Sequence, residues 1–134
     1  PTIPLKNKSM KKITLIAAAL FFSVAMMAQS KPDDVIKLNA ETHNFGKIKQ
    51  GVPVTYYFEI TNISDQPIVI ENASASCGCT VPEKPEKPIA PGKSDKLKVV
   101  YNAASVGPIN KDVYIKLAGI EQTKVIHITG EVIP

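Results

Sequence analysis

Beyond residue 34 the chain is built from short stretches in which apolar and polar residues alternate, separated by clusters of Gly, Pro, Asn and Ser. Successive side chains of a β-strand point to opposite faces, so a period of two marks strands with one buried side. The stretch VTYYFEITN shows this best. Val54, Tyr56, Phe58 and Ile60 point one way, and Thr55, Tyr57, Glu59 and Thr61 the other. The inward set of KLKVVY is Leu97, Val99 and Tyr101, and that of NKDVYIKL is Val113, Ile115 and Leu117. In KVIHITGEV it is Ile126, Ile128 and Val132. VIKLNAE (35–41) predicts an opening strand, PIVIE (67–71) another with Ile68 and Ile70 inward, and CTV (79–81) a short one.

Turn chemistry punctuates these stretches at residues 62–67, at Ala90-Pro91-Gly92-Lys93 and at Gly107-Pro108. Pro82, Pro85 and Pro88 lack the N–H that a sheet ladder needs, which places 82–88 at an edge or in a crossover. No helical stripe appears in this region. About seven short strands with no helix to cover a parallel sheet predict two antiparallel sheets packed face to face, an immunoglobulin-like β-sandwich over residues 35–134. The chain has no Trp, so the Cys…Trp…Cys core of antibody domains is absent.

The first 28 residues follow another pattern. Lys11 and Lys12 lead into an apolar run from Ile13 to Ala28, broken only by Thr14 and Ser23, and a polar segment follows. A basic start, an apolar stretch and small residues before a polar one predict a secretory signal peptide, with cleavage after Ala28 or Ala25. At ~1.5 Å rise per residue the run reaches ~24 Å, short of a ~30 Å hydrocarbon core, so no stable membrane span is expected after cleavage. Residues 1–28 are read as an upstream extension plus signal peptide, 29–34 as a linker, and the protein as periplasmic or extracellular.

Export changes how the charge reads. The chain has 16 basic residues, all of them Lys, and four (Lys6, Lys8, Lys11, Lys12) precede the cleavage site. The remaining 12 face 12 acidic residues, so the mature chain is formally neutral. Without Arg, bidentate recognition of guanine or phosphate is unavailable, and nucleic acid is not an expected partner.

Candidate chemistry is confined to Ser76-Cys77-Gly78-Cys79-Thr80. The two cysteines admit three readings. They pack as small same-side residues of a strand; they join in a disulfide, which needs Gly78 to permit a turn tighter than an extended tripeptide; or their thiolates hold Cu(I) or part of a zinc site. His43 and His127 are the only imidazoles, and nothing in the spacing brings either to the cysteines. Tyr57, Tyr114 and Val100 face outward in alternation and would form an apolar patch for a partner. Neither a serine elbow, a phosphate-cradling glycine loop nor a His-Glu zinc helix is present, so no catalytic group and no cofactor are expected.

One further pattern runs through the chain. Phe45-Gly46-x-Ile48-x-x-Gly51, Phe58-x-Ile60-x-Asn62, Ser76-Cys77-Gly78-Cys79-Thr80, Pro88-Ile89-x-Pro91-Gly92 and Ile128-x-Gly130-x-Val132 follow one another in this order. Together they resemble the bacterial domain of unknown function 1573 family across roughly residues 38 to 133. The resemblance implies an exported immunoglobulin-like domain, similar in build to the sperm-protein and pilus-chaperone sandwiches. It marks Gly46, Asn62, Gly78, Thr80, Pro91, Gly92 and Gly130 as structural motif residues and implies no activity. The expected function is therefore a non-catalytic binding or scaffolding module for a protein or glycan, with edge-strand association as the contact. The alternative is a thiol–disulfide or Cu(I)-handling protein centred on Cys77 and Cys79.

Overall fold

The computed structural model describes residues 30–134; the expected signal peptide lies outside them. Residues Pro32–Val35 form a helical turn, α1, with Pro32 buried at its start. Eight strands follow: β1 (Ile36–Leu38), β2 (Thr42–Lys49), β3 (Val54–Asn62), β4 (Ile70–Ala75), β5 (Thr80–Glu83), β6 (Ser94–Tyr101), β7 (Gly107–Leu117) and β8 (Lys124–Ile133). They form two sheets of four, ordered β1-β3-β6-β5 and β2-β8-β7-β4. This is the expected sandwich, with one strand more than the alternation predicts. Of the inward set, all but the half-buried Val54 and Tyr56 are buried between the layers, and Phe58, Ile60, Leu97, Val113, Ile115, Leu117, Ile126 and Ile128 are fully so.

The additional strand is β2. The opening segment expected at 35–41 ends its pairing at Leu38 on β3, and the chain then crosses to the other sheet. There β2 runs parallel to β8, the one parallel pair among the otherwise antiparallel ladders of the described residues. Its register shifts between Asn44 and Lys47, a β-bulge. Gly46 occupies the left-handed region at φ +70, and its N–H donates to Asn44 Oδ1 at 2.8 Å. His43 and Phe45 are half-buried before the bulge and Ile48 after it, so the inward phase moves from odd to even positions. Period-two reading fails on such a stretch, which explains why it was not expected as a strand.

Two devices hold the crossing in place. Gly130 of β8 lies against the bulge at φ +147, and a Cβ there would come within 2.8 Å of the Gly46 carbonyl oxygen. Lys124, at the start of β8, bonds both Asp33 of α1 and Glu41 of the crossover. Partial burial pushes the Lys124 ammonium pKa down, but the two carboxylates outweigh that, and the net shift is upward. An aromatic row bridges the layers nearby. His43 stacks on Tyr56 with centroids 3.6 Å apart, and Phe45 and Phe58 meet them edge-on.

At the far end of β3, Asn62 is fully buried and its amide is saturated. Its Nδ2 donates to the carbonyls of Gln66 (2.7 Å) and Ile89 (2.8 Å). Its Oδ1 accepts from Ser64 N (2.8 Å) and Ser64 Oγ (2.7 Å). The main chain adds two more bonds: Asn62 N donates to Lys93 O, and Gly92 N to Asn62 O, both at 2.9 Å. Pro91 and Gly92 form the centre of a tight turn closed by Lys93 N to Ala90 O, with Gly92 at φ +74, as a type II turn requires.

Three expectations follow from this packing. Asn62→Ala removes four side-chain bonds, takes one donor each from the Gln66 and Ile89 carbonyls and leaves Ser64 N without its acceptor, and should lower unfolding free energy by about 2–4 kcal/mol in a urea titration. Gly130→Ala should cost about 2 kcal/mol or more, because the clash is with backbone, whereas Gly78→Ala, which meets no atom within 4 Å, should be near neutral. Desolvation lowers the pKa of His43, so the unfolded chain takes up this proton first as pH falls. Stability should then decline from the ordinary histidine range downward and level off once the folded imidazole is also protonated. Melting curves between pH 8 and pH 5 should show the slope, and His43→Phe should remove that component.

Candidate functional site

Cys77 and Cys79 are joined in a disulfide with their Cα atoms 5.3 Å apart. They lie in the connection between β4 and β5, where the chain passes from one sheet to the other. The contraction below an extended tripeptide comes from a turn over Cys77-Gly78-Cys79-Thr80, closed by Thr80 N donating to Cys77 O at 3.4 Å. Gly78 is not among the glycines at positive φ, so the turn does not depend on a left-handed residue there. With the sulfurs bonded to each other, neither presents a thiolate to a metal. No group of three or more His, Cys, Asp and Glu side chains able to hold a metal occurs among the described residues.

The surroundings of the turn are well anchored. Ser76 N donates to Asp112 O at 3.0 Å, and Asn102 N to Cys79 O at 3.0 Å. Thr80 is buried, and its hydroxyl lies 4.0 Å from Cys77 Sγ and 3.8 Å from Cys79 Sγ. Disulfide sulfurs carry no hydrogen, so the threonine hydroxyl is the donor, with its single hydrogen shared between them. Cys79 packs against the hydrophobic core and Cys77 lies outside that cluster, although both are half-buried.

The other motif residues do not gather here. Asn62, Pro91 and Gly92 sit together at the β3 end, and Gly46 and Gly130 meet at the β2–β8 bulge. His43 is held in its stack on Tyr56. His127 faces outward, as its alternation predicts, and its Nδ1 bonds the Asp112 carboxylate at 2.5 Å. Asp112 N in turn donates to Ser76 Oγ at 3.2 Å. Serine, aspartate and histidine thus form a row from the end of β4 across β7 to β8, but Asp112 stands between the other two, meeting Ser76 through its main-chain N–H and His127 through its carboxylate. A hydrolytic triad needs the imidazole next to the hydroxyl, so this row is a cross-strand hydrogen-bond ladder. Sequence reasoning missed it because Asp112 and His127 become neighbours only through the β7–β8 register.

The outward aromatic patch needs correction. Tyr57 and Val100 lie on the outer face of the β1-β3-β6-β5 sheet, where Val81 joins them through its pairing with Val100. Tyr114 belongs to the other sheet, so it faces the opposite side of the sandwich. The one-strand pattern cannot say which of two sheets a strand joins. Between β4 and β5 a cleft of about 480 Å³ opens, lined by Asn72, Ala73, Pro82, Glu83, Lys84 and Glu86.

No curated protein matches the chain. Among solved structures, a protein of unknown function from Porphyromonas gingivalis W83 aligns with TM-score 0.63 at 18% identity, over 72% of this chain and 46% of its own. The chain therefore spans less than half of that protein. The ASH/PapD-like domain 7 of human CEP192 aligns with TM-score 0.60 at 11% identity, covering 81% of this chain and 92% of that domain. WR4, a C. elegans MSP family member, aligns with TM-score 0.52 at 13% identity, over 74% and 98% of the two chains. At such identities these likenesses establish the sandwich build alone. Sequence carries the relationship further: the family model described as protein of unknown function (DUF1573) matches residues 36–132, and the chain belongs to that family.

Proposed function

We propose that the chain is an exported, non-catalytic β-sandwich that binds a protein partner by accepting one of its segments as an added strand along β4. The contrast among the four outer strands carries this reading. β1 has three residues; β2 is bulged at Gly46 and carries Lys47 and Lys49; β5 contains Pro82. Short length, bulges, lysine and proline are the means by which sheets blunt their edges. β4 has a register shift at its start, then runs in continuous register from Asn72 to Ala75 without Lys or Pro. No other strand pairs with its free side among the described residues.

An outer strand points alternate N–H and C=O groups away from its neighbour, and a partner strand satisfies them. The cleft between β4 and β5 offers room for the side chains of such a strand. The likeness to PapD-like and MSP-family domains supports a binding role by analogy. Export is supported by the Lys11-Lys12 and apolar leader pattern and by the Cys77–Cys79 bond, which persists in oxidising compartments.

The test starts from the exported chain carrying a photo-cross-linker at Ser74, beside a control at Lys49 on β2. Adducts with a single protein at Ser74 and not at Lys49 are expected. With that partner purified, hydrogen exchange should slow in Asn72–Ala75 on binding, and Ser74→Lys should weaken binding about tenfold. Protection confined to another strand would remove β4 from the interface.

A further inference from the structure

The Cys77–Cys79 bond contributes little that the main chain does not already supply. It closes only three residues, so it restricts the unfolded chain little. The same turn is closed by Thr80 N to Cys77 O and anchored on both sides by the Ser76 N–Asp112 O and Asn102 N–Cys79 O bonds. A staple would join segments that the backbone leaves apart; this one joins residues already held together. Around it the molecule is open: Gly78 is exposed, and a side chain built there would meet nothing within 4 Å. Beneath it the hydroxyl of the buried Thr80 lies within 4.0 Å of both sulfurs.

We propose that Cys77–Cys79 is a thiol–disulfide exchange site that oxidises a dithiol, with the Thr80 hydroxyl receiving the leaving thiolate. One thiolate of the dithiol attacks Cys77 Sγ, the sulfur outside the core cluster. The Cys77–Cys79 bond breaks as the mixed disulfide forms, and the bonding pair leaves on Cys79 Sγ, 3.8 Å from Thr80 Oγ1. The second thiolate of the dithiol then attacks its own chain's sulfur in the mixed disulfide. That closes the disulfide of the substrate and expels Cys77 as a thiolate. Two electrons have passed from the dithiol to the cysteine pair; the two protons its thiols release on ionising are taken up through solvent by the expelled thiolates, and no other reactant is consumed. A disulfide sulfur accepts a hydrogen bond weakly and a thiolate strongly, so the Thr80 contact gains strength as the bond breaks. Substituting that hydroxyl should slow release without disturbing the sandwich.

Dithiothreitol serves as the probe on the full exported chain, with free thiols quantified by alkylation and mass spectrometry. The oxidised chain should be reduced while circular dichroism remains that of the folded sandwich, and its melting temperature should fall by no more than a few degrees. Thr80→Val should slow reduction at pH 7 about tenfold and shift the pH profile of alkylation of the reduced pair to higher pH; Thr80→Ser should restore both. Lys49→Ala on β2 should leave the exchange rate unchanged, and reduction of the pair should leave cross-linking at Ser74 unchanged, which separates this site from strand addition at β4. Reduction that occurs only on unfolding, or a Thr80→Val rate equal to that of the parent chain, would overturn the proposal.

Discussion

The saturated amide of Asn62 is the interaction on which the closure of this sandwich depends. Burying a primary amide is costly unless all its polar atoms find partners, and here four bonds do so, while two more satisfy the main-chain N–H and C=O of the same residue. Those bonds tie three segments that share no strand ladder: the end of β3, the loop through Ser64 and Gln66, and the Ile89–Lys93 turn. Ile68 and Ile89 then pair with each other in a short bridge beside it. The β3–β4 connection, which passes between sheets, and the β5–β6 connection, which stays within one, are thereby held to one geometry. Apolar packing alone would leave these loops free to slide.

The opposite end of the sandwich is fixed by backbone approach. β2 can lie parallel to β8 only because two glycines meet there, with no Cβ at Gly130 to strike the Gly46 carbonyl. Lys124 secures the segment that leads into β2 by gathering a carboxylate from α1 and another from the crossover. This pinning blunts the β2 edge, and on the proposed function β4, with the disulfide turn that follows it, is the margin that receives a partner. Binding along β4 and exchange at Cys77 would share one side of the molecule while using different groups, main-chain amides in the first case and sulfur in the second.

Much of the architecture was legible from side-chain order. The strands with unbroken alternation, β3, β6, β7 and β8, lie where VTYYFEITN, KLKVVY, NKDVYIKL and KVIHITGEV place them, because each has one face in water and one in the core. Pro82 belongs to an edge, as the missing N–H demands. β2 was hidden because its bulge changes phase halfway along, and a period-two signal cannot survive an inserted residue. The Cys-Gly-Cys-Thr turn stood out as a motif, but the bond between its cysteines and the threonine donor beneath them could not be read from spacing.

By itself the order of residues determined which side chains must be hidden, most of the points where the chain must turn (Gly107-Pro108, read as a turn, instead opens β7) and that two layers must face each other. These follow from local steric rules and from the cost of leaving apolar groups in water, both of which act over a few neighbouring residues. The tertiary structure decided what depends on residues far apart in the chain. It set the parallel pairing of β2 with β8, the separation of Tyr114 from Tyr57 onto opposite faces, the contact of Asp112 with His127, and the side on which an unblunted edge remains. Register and sheet membership are properties of pairs of strands, and no single strand carries the information that selects its partner.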